Sequence, residues 1–238
     1  MILVEDIRDA LRTLAIQEKA DFLPKFFKAG KGEYGEGDLF LGVKVPDQRA
    51  IAKEFYNKIQ LNELKALISS AYHEERLTAI FILINKFEKA KTRENQQEYI
   101  DFYLSNLKYI NNWDLVDSSC YKILGRFCYE NNQSEILKKL SQSDEMWHKR
   151  IAIVGTMFYI KKGSFDLTKE LVTQNLNHSH DLMHKANGWL LREMGKIDEK
   201  ELINYLNENY QRMPRTSLRY AIERLDENVR QDYLKGKI

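Results

Sequence analysis

This sequence predicts an all-α fold, and three observations carry that expectation. Apolar residues recur at helical spacing nearly throughout the chain. Only three of the 238 residues are proline and 11 are glycine, too few breakers for an architecture of many short strands and turns. From residue 62 onward shorter and longer helical segments alternate. The longer ones begin near residues 74, 114, 145, 180 and 214, steps of roughly 40, 31, 35 and 34. That is the period of a helical-pair solenoid, which coils and offers a concave face lined by the second helix of each pair.

The hydrophobic pattern predicts helices over 3–17, 20–29, 47–58, 62–71, 74–88, 94–107 and 114–130, then over 132–142, 145–162, 166–176, 180–195, 198–209 and 214–227. They are read as one domain, 1–238, with N-terminal helices in 1–60 and helical-pair repeats in 62–227. The one clear loop is the glycine-rich stretch 30–42. Pro24, Pro46 and Pro214 fall at or near the expected helix beginnings, where a missing backbone N–H costs nothing.

A chain with 43% hydrophobic and 30% charged residues is neither disordered nor collagen-like. The formal net charge is +2, and the charges are evenly spread: residues 1–110 carry 17 basic and 17 acidic side chains, the remainder 20 and 18. Any anion-binding surface must therefore come from arrangement on helix faces rather than from blocks of charge. Cys120 and Cys128 are eight apart in one expected helix, too far for a disulfide, and free thiols suit a reducing cytoplasm. The segment MILVEDIRDALRTL has acids among its first six residues and reads as an amphipathic helix rather than a signal peptide. No apolar run is long enough for a membrane span.

Some of the longer helices carry residues that core packing does not explain. In 145–162 the stripe Trp147, Ile151, Val154, Phe158 is the ordinary buried face, with Lys149 and Arg150 at its edge. In 180–195 the apolar stripe is Met183, Ala186, Leu190, Met194. Trp189 falls off that stripe and aligns with Lys185, Arg192 and Lys196, so a second face reads Lys-Trp-Arg-Lys. An aromatic among cations suits contact with phosphates and a sugar or base; a tryptophan packed under lysine stems is the plainer alternative. At the start of 114–130, Trp113 and Asp117 are four apart and share a face. Asn112 or Asp114 is the candidate N-cap there. Arg215 and Arg219, with Ser217 between them, follow Pro214 at a spacing that can grip successive phosphates. His148, His178, His180 and His184 lack carboxylate or cysteine partners at metal-ligand spacing, so no metal site and no cofactor are expected.

The segments WDLVD (113–117), WHKRIAI (147–153) and KANGWLLRE (185–193) resemble the signature segments of the AlkD-type DNA alkylation repair glycosylases, and FLGVKVPDQR (40–49) resembles that family's N-terminal turn. The resemblance covers about residues 19–225, with the motifs in the family's order. It implies a right-handed solenoid of HEAT-like repeats whose concave face binds DNA. It implies a monofunctional glycosylase that excises cationic N3- and N7-alkylated purines from duplex DNA while the lesion stays stacked. By the same resemblance Asp117 is the catalytic aspartate, Trp113 and Trp189 are the paired active-site tryptophans, and Arg150 is the essential arginine. Lys149, Lys185, Arg192, Lys196, Arg215, Ser217 and Arg219 are the expected DNA contacts. Damaged duplex DNA is the expected partner, and the protein is expected to be a cytoplasmic monomer with no membrane association. A protein-binding solenoid and a non-catalytic DNA-structure binder are the rival readings. The first does not explain Trp189 among its cations, and retention of Asp117 speaks against the second.

Overall fold

In the computed structural model, which describes residues 4–238, all regular structure is helical; Leu39 and Tyr72 form an isolated parallel bridge, and no strand is present among the described residues. The helix expected from residue 3 is seen from Val4, residue 3 lying outside the described residues. The chain divides into two compact units, Met1–Ser119 and Cys120–Ile238.

The first unit holds α1 (Val4–Thr13), α2 (Gln17–Phe26), α3 (Val45–Phe55), α4 (Leu61–Ile68), α5 (His73–Lys89), α6 (Arg93–Ser105) and α7 (Trp113–Ser119). Local chemistry sets the starts of three of these helices. Pro46 lies in the first turn of α3, Gln60 and Glu63 close a capping box on α4, and the Thr92 hydroxyl accepts the Asn95 N–H at the start of α6. Pro24 departs from expectation: α2 begins at Gln17, which puts the proline in its last turn, where the helix is about to stop. Helix α5 is the centre of the unit, packed by α1, α3, α4, α6 and α7.

The first turn of α5 is charged and nevertheless buried: His73, Glu74, Glu75 and Arg76 are each 2–3% exposed. Each is held by a group distant in sequence. The Glu74 carboxylate accepts the backbone N–H groups of Leu41 and Gly42 at 3.0 and 2.8 Å, and Glu75 pairs with Arg8 at 3.0 Å. Gly42 has φ +80°, and a Cβ there would lie 2.1 Å from the Ile16 carbonyl, so only glycine lets the chain pass. His73 Nδ1 donates to Asp38 at 2.9 Å and Nε2 to Asp114 at 2.8 Å, while Arg76 donates to the same Asp38 oxygen at 2.6 Å. A neutral imidazole has one N–H, and here two carboxylates each ask for one, so the ring is an imidazolium. Burial opposes that charge, but the hydrogen bonds to Asp114 and Asp38 outweigh it and raise the His73 pKa to about 9. Burial alone would also raise the Asp38 carboxyl; the bonds from His73 and Arg76 hold it below its ordinary value.

The second unit opens with a π-helical turn, Tyr121–Gly125, followed by α8 (Arg126–Glu130), α9 (Ser134–Ser141), α10 (Met146–Gly155), α11 (Met157–Lys161), α12 (Asp166–Gln174), α13 (Asp181–Ile197), α14 (Glu199–Asn209), α15 (Arg215–Ala221) and α16 (Glu227–Lys235). Neighbours in sequence pack on each other, α9 on α10, and α14 and α15 on α13. Glycine permits the tightest approaches. A Cβ on Gly125 would lie 2.1 Å from the Gly155 carbonyl oxygen, and one on Gly188 would lie 2.3 Å from that of Ser217. Cys120 and Cys128 form no disulfide, as the sequence suggested; both are buried, and burial pushes the Cys128 thiol up to about 12.

Three expected helices prove to be interrupted. The 114–130 helix contains the π turn, closed by the Gly125 N–H on the Cys120 carbonyl at 2.8 Å. The 145–162 helix breaks at Thr156, whose N–H and hydroxyl both bond the Ile153 carbonyl. The 214–227 helix ends at Ala221, and Asp226 then caps α16 through the Asn228 N–H.

Two outcomes follow for stability. The raised His73 pKa makes its contribution full below the unfolded value near pH 6.5 and lost as pH rises through about 9. Denaturant midpoints are therefore expected to fall between pH 7 and pH 9.5, and His73→Gln is expected to be destabilised at pH 7 while losing most of that pH dependence. Gly125→Ala is expected to lower stability in urea unfolding, because overpacking against the Gly155 backbone costs about 1–3 kcal/mol or more and outweighs the gain of about 1 kcal/mol in helix propensity.

Candidate functional site

In the first unit the site residues sit on α7. The Asn112 side-chain oxygen accepts the Trp113 N–H at 2.8 Å, and Asn112 is fully buried, so Asn112 fixes the entry to the helix. Asp114 accepts the Leu115 N–H at 2.8 Å with one oxygen and bonds His73 with the other, which makes it the anchor of α7. Trp113 and Asp117, four apart on the same helix, are both half-buried. The Trp113 ring stacks on Phe27 at 5.5 Å and meets the edge of Phe26 at 5.8 Å. Phe27 in turn stacks on His73 at 4.5 Å and on Phe40 at 5.6 Å. An aromatic bank thus leads from the imidazolium to the tryptophan, and a cavity of about 610 Å³ opens beside it, lined by Phe26, Phe27, Trp113, His73, Asp114 and Gln48 among others.

In the second unit α13 has the two faces its sequence suggested. Met183, Ala186, Leu190 and Met194 are fully buried, and Trp189 is half-buried off that stripe. Its cationic companions are ion-paired: Lys185 with Asp181 at 2.7 Å, Lys196 with Glu193 at 2.7 Å, and Arg192 with Glu223 and, at 3.5 Å, Glu193. Such surface pairs contribute about 0–1 kcal/mol each, little enough for a phosphate to compete. Arg150 is 5% exposed and donates to the Leu182 carbonyl, joining α10 to α13; Lys149 beside it is half-buried. Arg215 and Arg219 are exposed on α15, Arg215 donating to the Leu234 carbonyl at 2.8 Å.

Ser217 corrects an expectation. It is fully buried, and its hydroxyl donates to the His184 carbonyl at 2.9 Å, so it ties α15 to α13 and offers nothing to a phosphate. Trp147, expected in the core, is half-buried, whereas Ile151 and Val154 of the same stripe are fully buried. The loop histidines also have local structural work. His178 Nδ1 accepts the His180 N–H, and His180 caps α13 through the Leu182 N–H, both at 3.1 Å. Burial and nearby Lys149 keep His178 below its ordinary pKa. Among the described residues no group of three or more His, Cys, Asp or Glu is arranged to hold a metal ion.

Sequence reasoning passed over His73, Asp38, Phe26 and Phe27. The local run His73-Glu74-Glu75-Arg76 looks like a solvated first turn of a helix, and its partners lie 35 and 41 residues away. A weak signal existed in the Phe26-Phe27 pair, which caps a helix that buries none of its own residues.

The family model described as DNA alkylation repair enzyme matches residues 7–225. No match is found among curated proteins. Among solved structures, one described as a predicted DNA alkylation repair enzyme from Enterococcus faecalis is 18% identical, with 88% of this chain and 96% of that chain covered and a TM-score of 0.69. At that identity the likeness speaks for the fold. The family match spans most of both units, and by it this chain belongs to the DNA alkylation repair enzyme family.

Proposed function

We propose that this protein is a monofunctional DNA glycosylase that hydrolyses the N-glycosidic bond of cationic N3- and N7-alkylated purines in duplex DNA. The observation that carries the reading is the pairing on α7 of Trp113 with Asp117, a half-buried carboxylate four residues from a tryptophan whose ring is already fixed by Phe26 and Phe27.

Alkylation at N3 or N7 places a positive charge on the purine, so the base departs without a strong acid to protonate it. The C1′–N bond breaks with its electron pair going to the base, which leaves neutral. The sugar becomes oxocarbenium-like, and water adds to C1′ and gives up a proton. Asp117 stabilises the developing positive charge on the sugar and orients the attacking water. Trp113 and Trp189 contact the cationic nucleotide through their π faces, each contact contributing about 0.5–2 kcal/mol. Arg150, anchored by the Leu182 carbonyl, holds a lesion-strand phosphate. Lys149, Lys185, Arg192, Lys196, Arg215 and Arg219 contribute phosphate contacts, the ion-paired ones by exchanging a carboxylate for a phosphate oxygen. The lesion stays stacked in this scheme, and no lysine is assigned a Schiff-base role, so no strand cleavage accompanies base release.

The test is release of 7-methylguanine and 3-methyladenine from alkylated duplex DNA. Wild type is expected to release base well above the spontaneous rate, and Asp117→Asn to lose about tenfold or more in rate with duplex binding retained, the size expected when a transition-state charge partner is removed. Release at the spontaneous rate by wild type on both lesions would replace this reading with a DNA- or protein-binding role.

A further inference from the structure

The first unit holds a second, separate cavity that shares no lining residue with the one beside Trp113. Val45 and Gln48 at the start of α3, and His73 and Leu77 at the start of α5, line the Trp113 cavity. Further along the same two helices, Arg49, Lys53 and Tyr56 on one side and Phe81, Asn85 and Lys89 on the other line a cavity of about 310 Å³. The helices therefore run side by side in the same direction. Leu77 lines the first cavity and Asn85 the second, eight residues on along α5, so the second lies about 12 Å further along the groove. Arg49, Lys53 and Tyr56 recur at steps of four and three, and Phe81, Asn85 and Lys89 at steps of four, so each set occupies one helix face.

The lining of this second cavity carries three cations and no carboxylate. The Arg49 guanidinium carbon lies 3.9 Å from the centroid of the Phe81 ring, which is 2% exposed, so cation–π attraction holds the guanidinium against the wall. Glu54, the acid next to Lys53, is drawn away to Lys58 at 3.6 Å. Among the described residues Arg49, Lys53 and Lys89 have no ion-pair partner, in contrast to Lys185, Arg192 and Lys196 of α13. Those three must release a carboxylate before they take a phosphate, whereas the three cations here release only water. Tyr56 and Asn85 add neutral hydrogen-bond donors of the kind that phosphate oxygens accept.

We propose that Arg49, Lys53 and Lys89 hold a backbone phosphate of duplex DNA in this cavity, so that the first unit grips the duplex at a point removed from the lesion. The proposal rests on the glycosylase reading for its DNA partner and adds to it a phosphate site that touches neither the reacting sugar nor the damaged base. A phosphate carries no sequence information, so the grip acts equally on damaged and undamaged duplex.

The experiment is a fluorescence-anisotropy titration of the whole chain with an unmodified duplex across a series of salt concentrations. The double variant Arg49→Gln, Lys53→Gln is expected to bind about five- to tenfold more weakly than wild type and to flatten the slope of log affinity against log salt by about 1 to 2, as loss of phosphate contacts requires. Lys89→Gln, on the other helix, is expected to change both in the same direction by about half as much. Lys58→Gln, which removes a lysine already paired with Glu54 outside the cavity, is expected to leave both close to wild type. Unchanged affinity in the double variant, weaker binding with an unaltered salt slope, or an equal loss in Lys58→Gln overturns the proposal. Release of 7-methylguanine by wild type is measured on the same preparation. Release together with cavity variants that bind like wild type removes the phosphate site and leaves the glycosylase reading standing. Cavity-dependent duplex binding without release keeps the phosphate site and removes the glycosylase reading.

Discussion

A buried imidazolium is the interaction on which the first unit depends. His73 donates to Asp38 in the loop before α3 and to Asp114 at the head of α7, and so one side chain joins three segments that are far apart in sequence. Arg76 meets the same Asp38 oxygen, Glu74 gathers the backbone at Leu41 and Gly42, and Glu75 holds Arg8 of α1. Removing one partner from such a cluster leaves an uncompensated charge in a dry place, which costs about 3–5 kcal/mol. That cost gives the charged turn of α5 one well-defined arrangement, and it anchors the glycine-rich loop, whose Phe40 also stacks on Phe27 and on the His73 ring.

The consequence for function runs through Asp114. Because that aspartate is held from both sides, by His73 and by the Leu115 N–H, the first turn of α7 is fixed, and Trp113 and Asp117 are presented from a rigid element. Phe27 works with the same ring, stacked between His73 and Trp113. The second unit uses a different device. Gly125, Gly155 and Gly188 let backbones approach closely, and Arg150 and Ser217 are both secured to carbonyls at the α13 helix, from which Trp189 projects off the buried stripe.

Much of the fold was legible in the sequence because it is local physics. The apolar stripe Met183, Ala186, Leu190, Met194 and its displaced Trp189 follow from 3.6-residue periodicity alone, and Pro46 marks its helix start by a missing N–H. The pairing of Trp113 with Asp117 was legible for the same reason. What could not be read were contacts that periodicity does not encode. His73-Glu74-Glu75-Arg76 has the composition of a solvated turn, and only the tertiary meeting of Asp38, His73 and Asp114 makes it interior. Ser217 lay between two exposed arginines and looked like a third phosphate ligand; helical geometry turns it inward onto His184. The break at Thr156 depends on a side-chain hydroxyl competing for a helix carbonyl, which the apolar pattern does not register.

The most direct measurement is a nitrogen-15 NMR titration of the His73 ring in the intact protein. Both ring nitrogens are expected to stay protonated through neutral pH, with a midpoint near 9, and Asp114→Asn is expected to lower that midpoint. A ring that is neutral at pH 7, or that titrates near the ordinary histidine value of about 6.5, would contradict the imidazolium and with it the fixing of α7.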